Sequence, residues 1–119
     1  MAATLSKSER LCGKTAIAEL MEHGKGSVAG CLRYKCLMRD DGDAVSRILI
    51  SVPKRNFKRA VKRNLLKRRI RESYRLQKDL LPAGMDIAFV YISREVLPFE
   101  DVYASMTTAL TAAAQQVSA

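Results

Sequence analysis

The chain has 119 residues, 48% of them hydrophobic, which is enough for one buried core and too few for two domains. Its longest apolar runs, Ile48–Ile50 and Ile87–Ile92, fall far short of the ~20 residues that cross a bilayer. Met1–Leu5 lacks the basic-then-apolar pattern of a secretory signal. Three cysteines (Cys12, Cys31, Cys36) make an odd number at no metal-like spacing, so free thiols in a cytoplasmic protein are expected. Lysine and arginine total 21 against 12 acids, a net +9. The stretch 54–78 alone holds 12 of the bases and one acid, Glu72, while the rest of the chain is slightly acidic. A charge excess gathered in one segment points to a polyanionic partner.

In chain order, residues 15–23 read as a short helix with Ile17, Leu20 and Met21 on one face and Gly24 as its stop. Thr15 is a candidate cap, and Ser6–Glu9 also fits a capping box. Residues 31–38 alternate imperfectly and predict a strand. Asp40-Asp41-Gly42-Asp43 follows as a turn, its Asp-Gly pair being a hairpin signal, and Val45–Val52 returns as a strand stopped by Pro53. A helix over the basic segment ends at Pro82-Ala83-Gly84, and 86–92 is an almost continuously apolar strand, expected inside the sheet. After Pro98, apolar residues from Phe99 to Ala113 recur at spacings of 3 and 4 and predict an amphipathic C-terminal helix. The order is α-β-β-α-β-α, with one more short strand allowed. The core is expected over about 10–114, with 1–9 and 115–119 flexible.

Successive helical residues turn by about 100°. With Leu66 as reference, Ile70, Ser73 and Tyr74 fall within about 80° and form a core-facing stripe. Asn64, Lys67, Arg68, Arg71, Arg75 and Lys78 fall at about 100–200°, with Glu72 at the edge of this band. A merely solvated face mixes charge signs so that i,i+4 pairs form; here like charges adjoin, at a cost of a few tenths of a kcal/mol each. Arginine grips phosphate bidentately where lysine offers a point charge. Aromatic residues do not interleave with the cations. The pattern therefore suits the phosphate backbone of duplex or structured RNA rather than base stacking on a single strand.

Arg63-Asn64-Leu65-Leu66-Lys67-Arg68-Arg69-Ile70-Arg71-Glu72 resembles the R-N-R-x-K-R-x-x-R-E signature of the protein subunit of bacterial ribonuclease P. Ser51-Val52-Pro53-Lys54-Arg55 before it, Leu80–Val90 after it and Arg10-Leu11 near the start fit the same family, so the similarity spans about residues 10–110. The resemblance implies an α+β fold: a single-domain, two-layer α-β sandwich like a ribosomal-protein domain (α-β-β-β-α-β-α) with a left-handed βαβ crossover. It implies an RNA-binding accessory subunit of an endoribonuclease, in which a catalytic RNA with its magnesium ions removes the 5′ leader of precursor tRNA. By position, Arg63, Asn64, Lys67, Arg68 and Arg71 would contact the RNA subunit, with Lys54, Arg55, Lys58 and Arg59 adding basic surface and Arg75 continuing the band. Arg63 lies at about 60°, beside the buried stripe, so its contact rests on the resemblance alone. A cleft between sheet and N-terminal helix would hold the leader, with Ile17, Met21 and Tyr34 as its candidate contacts. Two departures stand out. Leu65 occupies a motif position that is usually arginine, and Ile17 and Met21 stand where phenylalanine is common.

Two rival readings follow from the same residues. A ribosomal or RNA-chaperone protein would use the same helix without any nuclease. A self-sufficient metal-dependent nuclease would need Asp40, Asp41 and Asp43 as ligands, but a calcium loop starting at Asp40 requires glutamate where Ser51 stands. No catalytic or metal-binding residue is therefore assigned, and magnesium is expected on the RNA and substrate. His23 suits a helix C-terminus. Cys31 and Cys36, five apart, are expected on opposite faces of one strand. The expected partners are the catalytic RNA and precursor tRNA, with no membrane and no obligate protein partner.

Overall fold

The computed structural model describes residues 9–11, 13–39, 42 and 45–118. Its elements are α1 (Lys14–His23), β1 (Lys25–Ala29), β2 (Leu32–Met38), β3 (Arg47–Ser51), α2 (Ala60–Gln77), β4 (Met85–Tyr91) and α3 (Phe99–Ser118). A 3-10 turn, Lys78–Leu80, follows α2. The strands form one sheet in the order β1-β2-β4-β3. β4 is central, as its apolar run predicts, with six of its seven residues buried.

Pairing departs from the expected hairpin. The Asp-Gly turn does not join partners: β2 runs antiparallel to β4 and β3 runs parallel to it, so β4 separates the two strands that flank the turn. The hairpin present is β1–β2, turned at Gly30, whose φ of 57° is open to glycine. A side chain at Gly30 would also collide with the Ser105 hydroxyl 2.3 Å away, because α3 packs tightly on this turn. Asp40, Asp41 and Asp43 lie outside the described residues.

Alternation sorts the sheet into two faces. Ala29, Leu32, Tyr34, Cys36, Ile48, Met85, Ile87, Phe89 and Tyr91 meet Leu66, Ile70 and Tyr74 of α2 and Val102, Met106, Ala109, Leu110 and Ala113 of α3. Among the described residues the other face carries α1, where Leu20, Leu11 and Ala88 make a small second core. Cys31 and Cys36, expected on opposite faces, both enter the larger core. Cys31 sits in the turn ahead of β2, which breaks the alternation. Both thiols are free.

The hand of the β3-α2-β4 connection follows from one hydrogen bond. Ile48 directs its side chain into the core beneath α2, and its carbonyl accepts the Leu11 amide at 2.8 Å, on the edge away from β4. For an L-residue in an ascending strand, viewed from its side chain, amide and carbonyl point right. β4 thus lies to the left of β3 as seen from α2, and the crossover is left-handed, against the strong general preference.

The ends differ from expectation. α1 starts at Lys14 with Gly13 as N-cap, so Thr15 does not cap it. Of the alternative capping box, Ser6 and Ser8 lie outside the described residues, and Glu9 pairs with Lys78 instead. α3 continues to Ser118, and its Gln116 accepts a hydrogen bond from the Cys36 thiol at 3.3 Å.

Candidate nucleic-acid interface

α2 turns the predicted stripe inward: Leu66, Ile70, Ser73 and Tyr74 are at most 1% exposed, and burial raises the Tyr74 phenol to about 12. The cations consequently face outward. Asn64, Arg68 and Arg71 are exposed and Lys67 is half-buried. Lys67, Arg68 and Arg71 make no ion pair with any described residue.

The band is less uniformly free than the helical wheel alone implies. Arg75 forms a two-pronged pair with Glu72, Nε donating to Oε2 at 2.9 Å and Nη2 to Oε1. Spacing of i,i+3 brings the two side chains together. Lys78 Nζ donates to Glu9 Oε2 at 3.1 Å, a partner supplied from 69 positions earlier. Arg63 plays another part. Its guanidinium donates to the carbonyls of Phe57 at 2.6 Å and Lys58 at 2.9 Å, clamping the segment ahead of α2. Leu65 is half-buried.

That segment displays the remaining cations. Val52 and Phe57 are buried, and the Phe57 ring packs 5.8 Å from that of Tyr91. Between and beyond these two anchors, Lys54, Arg55, Lys58 and Arg59 are all exposed. Two apolar pegs and the Arg63 clamp thus hold four cations beside the N-terminal end of α2, where the helix dipole is also positive.

On the opposite side of the sheet lies a groove of about 400 Å³ beneath α1, lined by Met21, Gly26, Ser27, Val28, Arg33, Tyr34, Lys35, Ala88 and Val90. Lys35 Nζ donates to the Met21 carbonyl, tying the end of α1 to the floor. Gly26 is required here, since a Cβ would lie 2.1 Å from the Tyr34 carbonyl oxygen. Of the three residues expected in this cleft, Met21 and Tyr34 line it and Ile17 does not. Ile17 packs in the small core under α1. Tyr34 shares the level of the groove, but its ring points through to the opposite face, 2% exposed, where burial raises its phenol. The cleft-facing residues of β2 are its neighbours Arg33 and Lys35.

A third feature escaped sequence reasoning. Asp86, 2% exposed, receives Arg39 Nη1 at 3.0 Å and Arg47 Nε and Nη2 at 2.8 and 2.7 Å. One carboxylate on the central strand thereby joins the end of β2 to β3. Its only signal in the sequence is a lone acid at the mouth of an apolar strand. Among the described residues no three Asp, Glu, His or Cys side chains gather to hold a metal. His23 lies exposed at the end of α1, 3.9 Å from Glu22. No helix among the described residues is long and apolar enough to cross a membrane.

Sheet, helices and surface together define a small single-domain α+β protein with a cationic helix face on one side of its four-stranded sheet and a groove on the other. The Ribonuclease P family matches residues 5–114. The ribonuclease P protein component of Porphyromonas gingivalis is 41% identical over 115 residues, covering 89% of this chain and 83% of the relative. That of Syntrophus aciditrophicus is 34% identical over 87 residues, covering 73% and 71%. Among solved structures, the RNase P protein of Thermotoga maritima superposes with a TM-score of 0.74 at 26% identity, over 87% of this chain and 96% of that one. The Staphylococcus aureus RNase P protein gives 0.76 at 22% identity, over 90% and 96%, a likeness of fold. The chain belongs to the ribonuclease P protein family: it is a protein subunit of ribonuclease P, a partner of that enzyme's RNA subunit in tRNA 5′ processing.

Proposed function

We propose that α2 lies against the catalytic RNA, with Lys67, Arg68, Arg71 and Asn64 on its phosphates and Lys54, Arg55, Lys58 and Arg59 extending the contact. The observation that carries this reading is the set of three cations, Lys67, Arg68 and Arg71, that pair with no acid among the described residues and lie opposite a fully buried stripe. Arg63 supports the surface by holding the 57–58 backbone, and Arg75 takes part only so far as Glu72 releases it. Each phosphate neutralised releases condensed counterions, so binding is salt-sensitive and reads little base sequence.

The hydrolysis belongs to the RNA subunit, and magnesium is held by that RNA and the substrate. Asp86, the buried carboxylate, is already held by two arginines. By neutralising phosphates, the protein lowers the magnesium needed to keep the RNA folded. The groove under α1 takes the single-stranded leader of precursor tRNA, a phosphate on Arg33 and the sugar-base edge against Met21, Val28 and Val90.

Reconstitution tests both parts. Adding the protein to the RNA subunit at low magnesium should stimulate cleavage of precursor tRNA, with a preference for precursor over mature tRNA in binding. No stimulation would contradict the RNA-subunit reading; stimulation without that preference would contradict the groove assignment alone.

A further inference from the structure

Residues 9–11 run along the outer edge of β3 and cross from the helix layer to the α1 layer. Arg10 bridges Ile48 in parallel register, and Leu11 donates its amide to the Ile48 carbonyl. Paired residues on neighbouring strands share a face. Arg10 therefore stands on the side that Ile48 faces, the side of α2, whereas Leu11 turns into the small core with Leu20 and Ala88. Glu9 anchors the segment to the helix through Lys78 at 3.1 Å.

The helix brings its own cations to the same edge. Lys67, Arg71 and Lys78, at spacings of 4 and 7, form one row along α2 and its 3-10 extension. The last of that row is the residue that touches Glu9, so the row descends to the β3 edge where Arg10 emerges. Arg10 is exposed and makes no ion pair with a described residue.

We infer that Arg10 belongs to the phosphate-binding surface, which is a composite of the α2 row and the edge segment rather than one helix face. The inference rests on the reading of α2 as the face for the RNA subunit, and its ligand is the same sugar-phosphate backbone. Glu9 acts as a latch: it neutralises Lys78 and in doing so sets Arg10 in line with Lys67 and Arg71.

Equilibrium binding of the full chain to the ribonuclease P RNA transcript across a salt series tests this. Arg10→Ala should flatten the slope of log affinity against log salt by about one. A tenfold rise in salt then costs the variant about tenfold less affinity than it costs the parent. Arg10→Lys should keep the parent slope and Arg10→Gln should lose it, with all three melting as the parent does, because the segment is fastened through the Leu11 backbone and Glu9. Arg68→Ala serves as the control for the underlying reading. If Arg68→Ala flattens the slope and the Arg10 variants do not, the composite surface is overturned and the α2 reading stands; if neither changes it, both fail. Should Arg10→Ala melt early, Lys and Gln at position 10 still decide, since equal slopes for the two would overturn the proposal.

Discussion

Replacing Asp86 with leucine probes the device that holds the unusual strand order together. The carboxylate is 4% exposed and faces Arg39, itself 7% exposed, and Arg47, 26% exposed. Removing the acid breaks the buried pairs that Asp86 makes with Arg39 and Arg47, a change that costs about 3–5 kcal/mol for a buried pair. A domain of this size has roughly 5–15 kcal/mol in total. At about 4 °C per kcal/mol, Asp86→Leu should lower the melting temperature by roughly 12–20 °C. Thermal and urea unfolding followed by circular dichroism measure it. Adding Arg39→Met should recover part of the loss, because the double variant no longer buries the facing charge. A drop of less than about 1 kcal/mol, or strictly additive losses, would refute the reasoning that this carboxylate joins β2 to β3.

Three other outcomes follow from the same geometry. Leu66→Asp should abolish cooperative folding, since it places a charge at a position that is 0% exposed; an unaltered melt would show that α2 faces the other way. Glu72→Gln should steepen the salt slope of RNA binding by up to about one by freeing Arg75. The hydrogen bonds from Arg75 hold the Glu72 carboxyl below the usual carboxylate range. Because the folded value is depressed, the pair is complete at neutral pH and is lost as pH falls through that value. A parent slope that fails to steepen in acid, or an unchanged Glu72→Gln slope at neutral pH, would contradict this account of Arg75. Met21→Phe should strengthen binding of precursor over mature tRNA several-fold, since a ring stacks on a base for about 1–3 kcal/mol and the ring of Tyr34, the aromatic residue lining the groove, is buried in the larger core; equal affinity ratios for the two proteins would remove Met21 from the contact.

What could be read in advance tracks how local its cause is. The α2 stripe is set by helical periodicity, and Leu66, Ile70, Ser73 and Tyr74 all turned inward. The apolar run of β4 announced a central strand because burial on both faces leaves no alternation. Strand pairing was not legible. An Asp-Gly turn expresses a local preference, whereas the partner of β3 is chosen by the helix layer that must cover it. β1 gives almost no signal, with four of its five residues exposed. Tyr34 illustrates how a register decision propagates: placing Cys31 in a turn rather than a strand leaves the face of every β2 residue to be set by pairing with β4. The cationic face was legible as a composition, but its neutralised members were not. Glu9 and Lys78 meet only in the folded chain, and the Arg39–Asp86–Arg47 cluster likewise joins three separate segments.

The most direct test of the α2 assignment is the salt dependence of binding to the ribonuclease P RNA for the chain carrying Lys67→Ala, Arg68→Ala and Arg71→Ala together. The three cations make no ion pair among the described residues, so the variant should melt like the parent while its slope falls by about three. A folded triple variant that binds with the parent slope would mean that the RNA lies elsewhere on this protein.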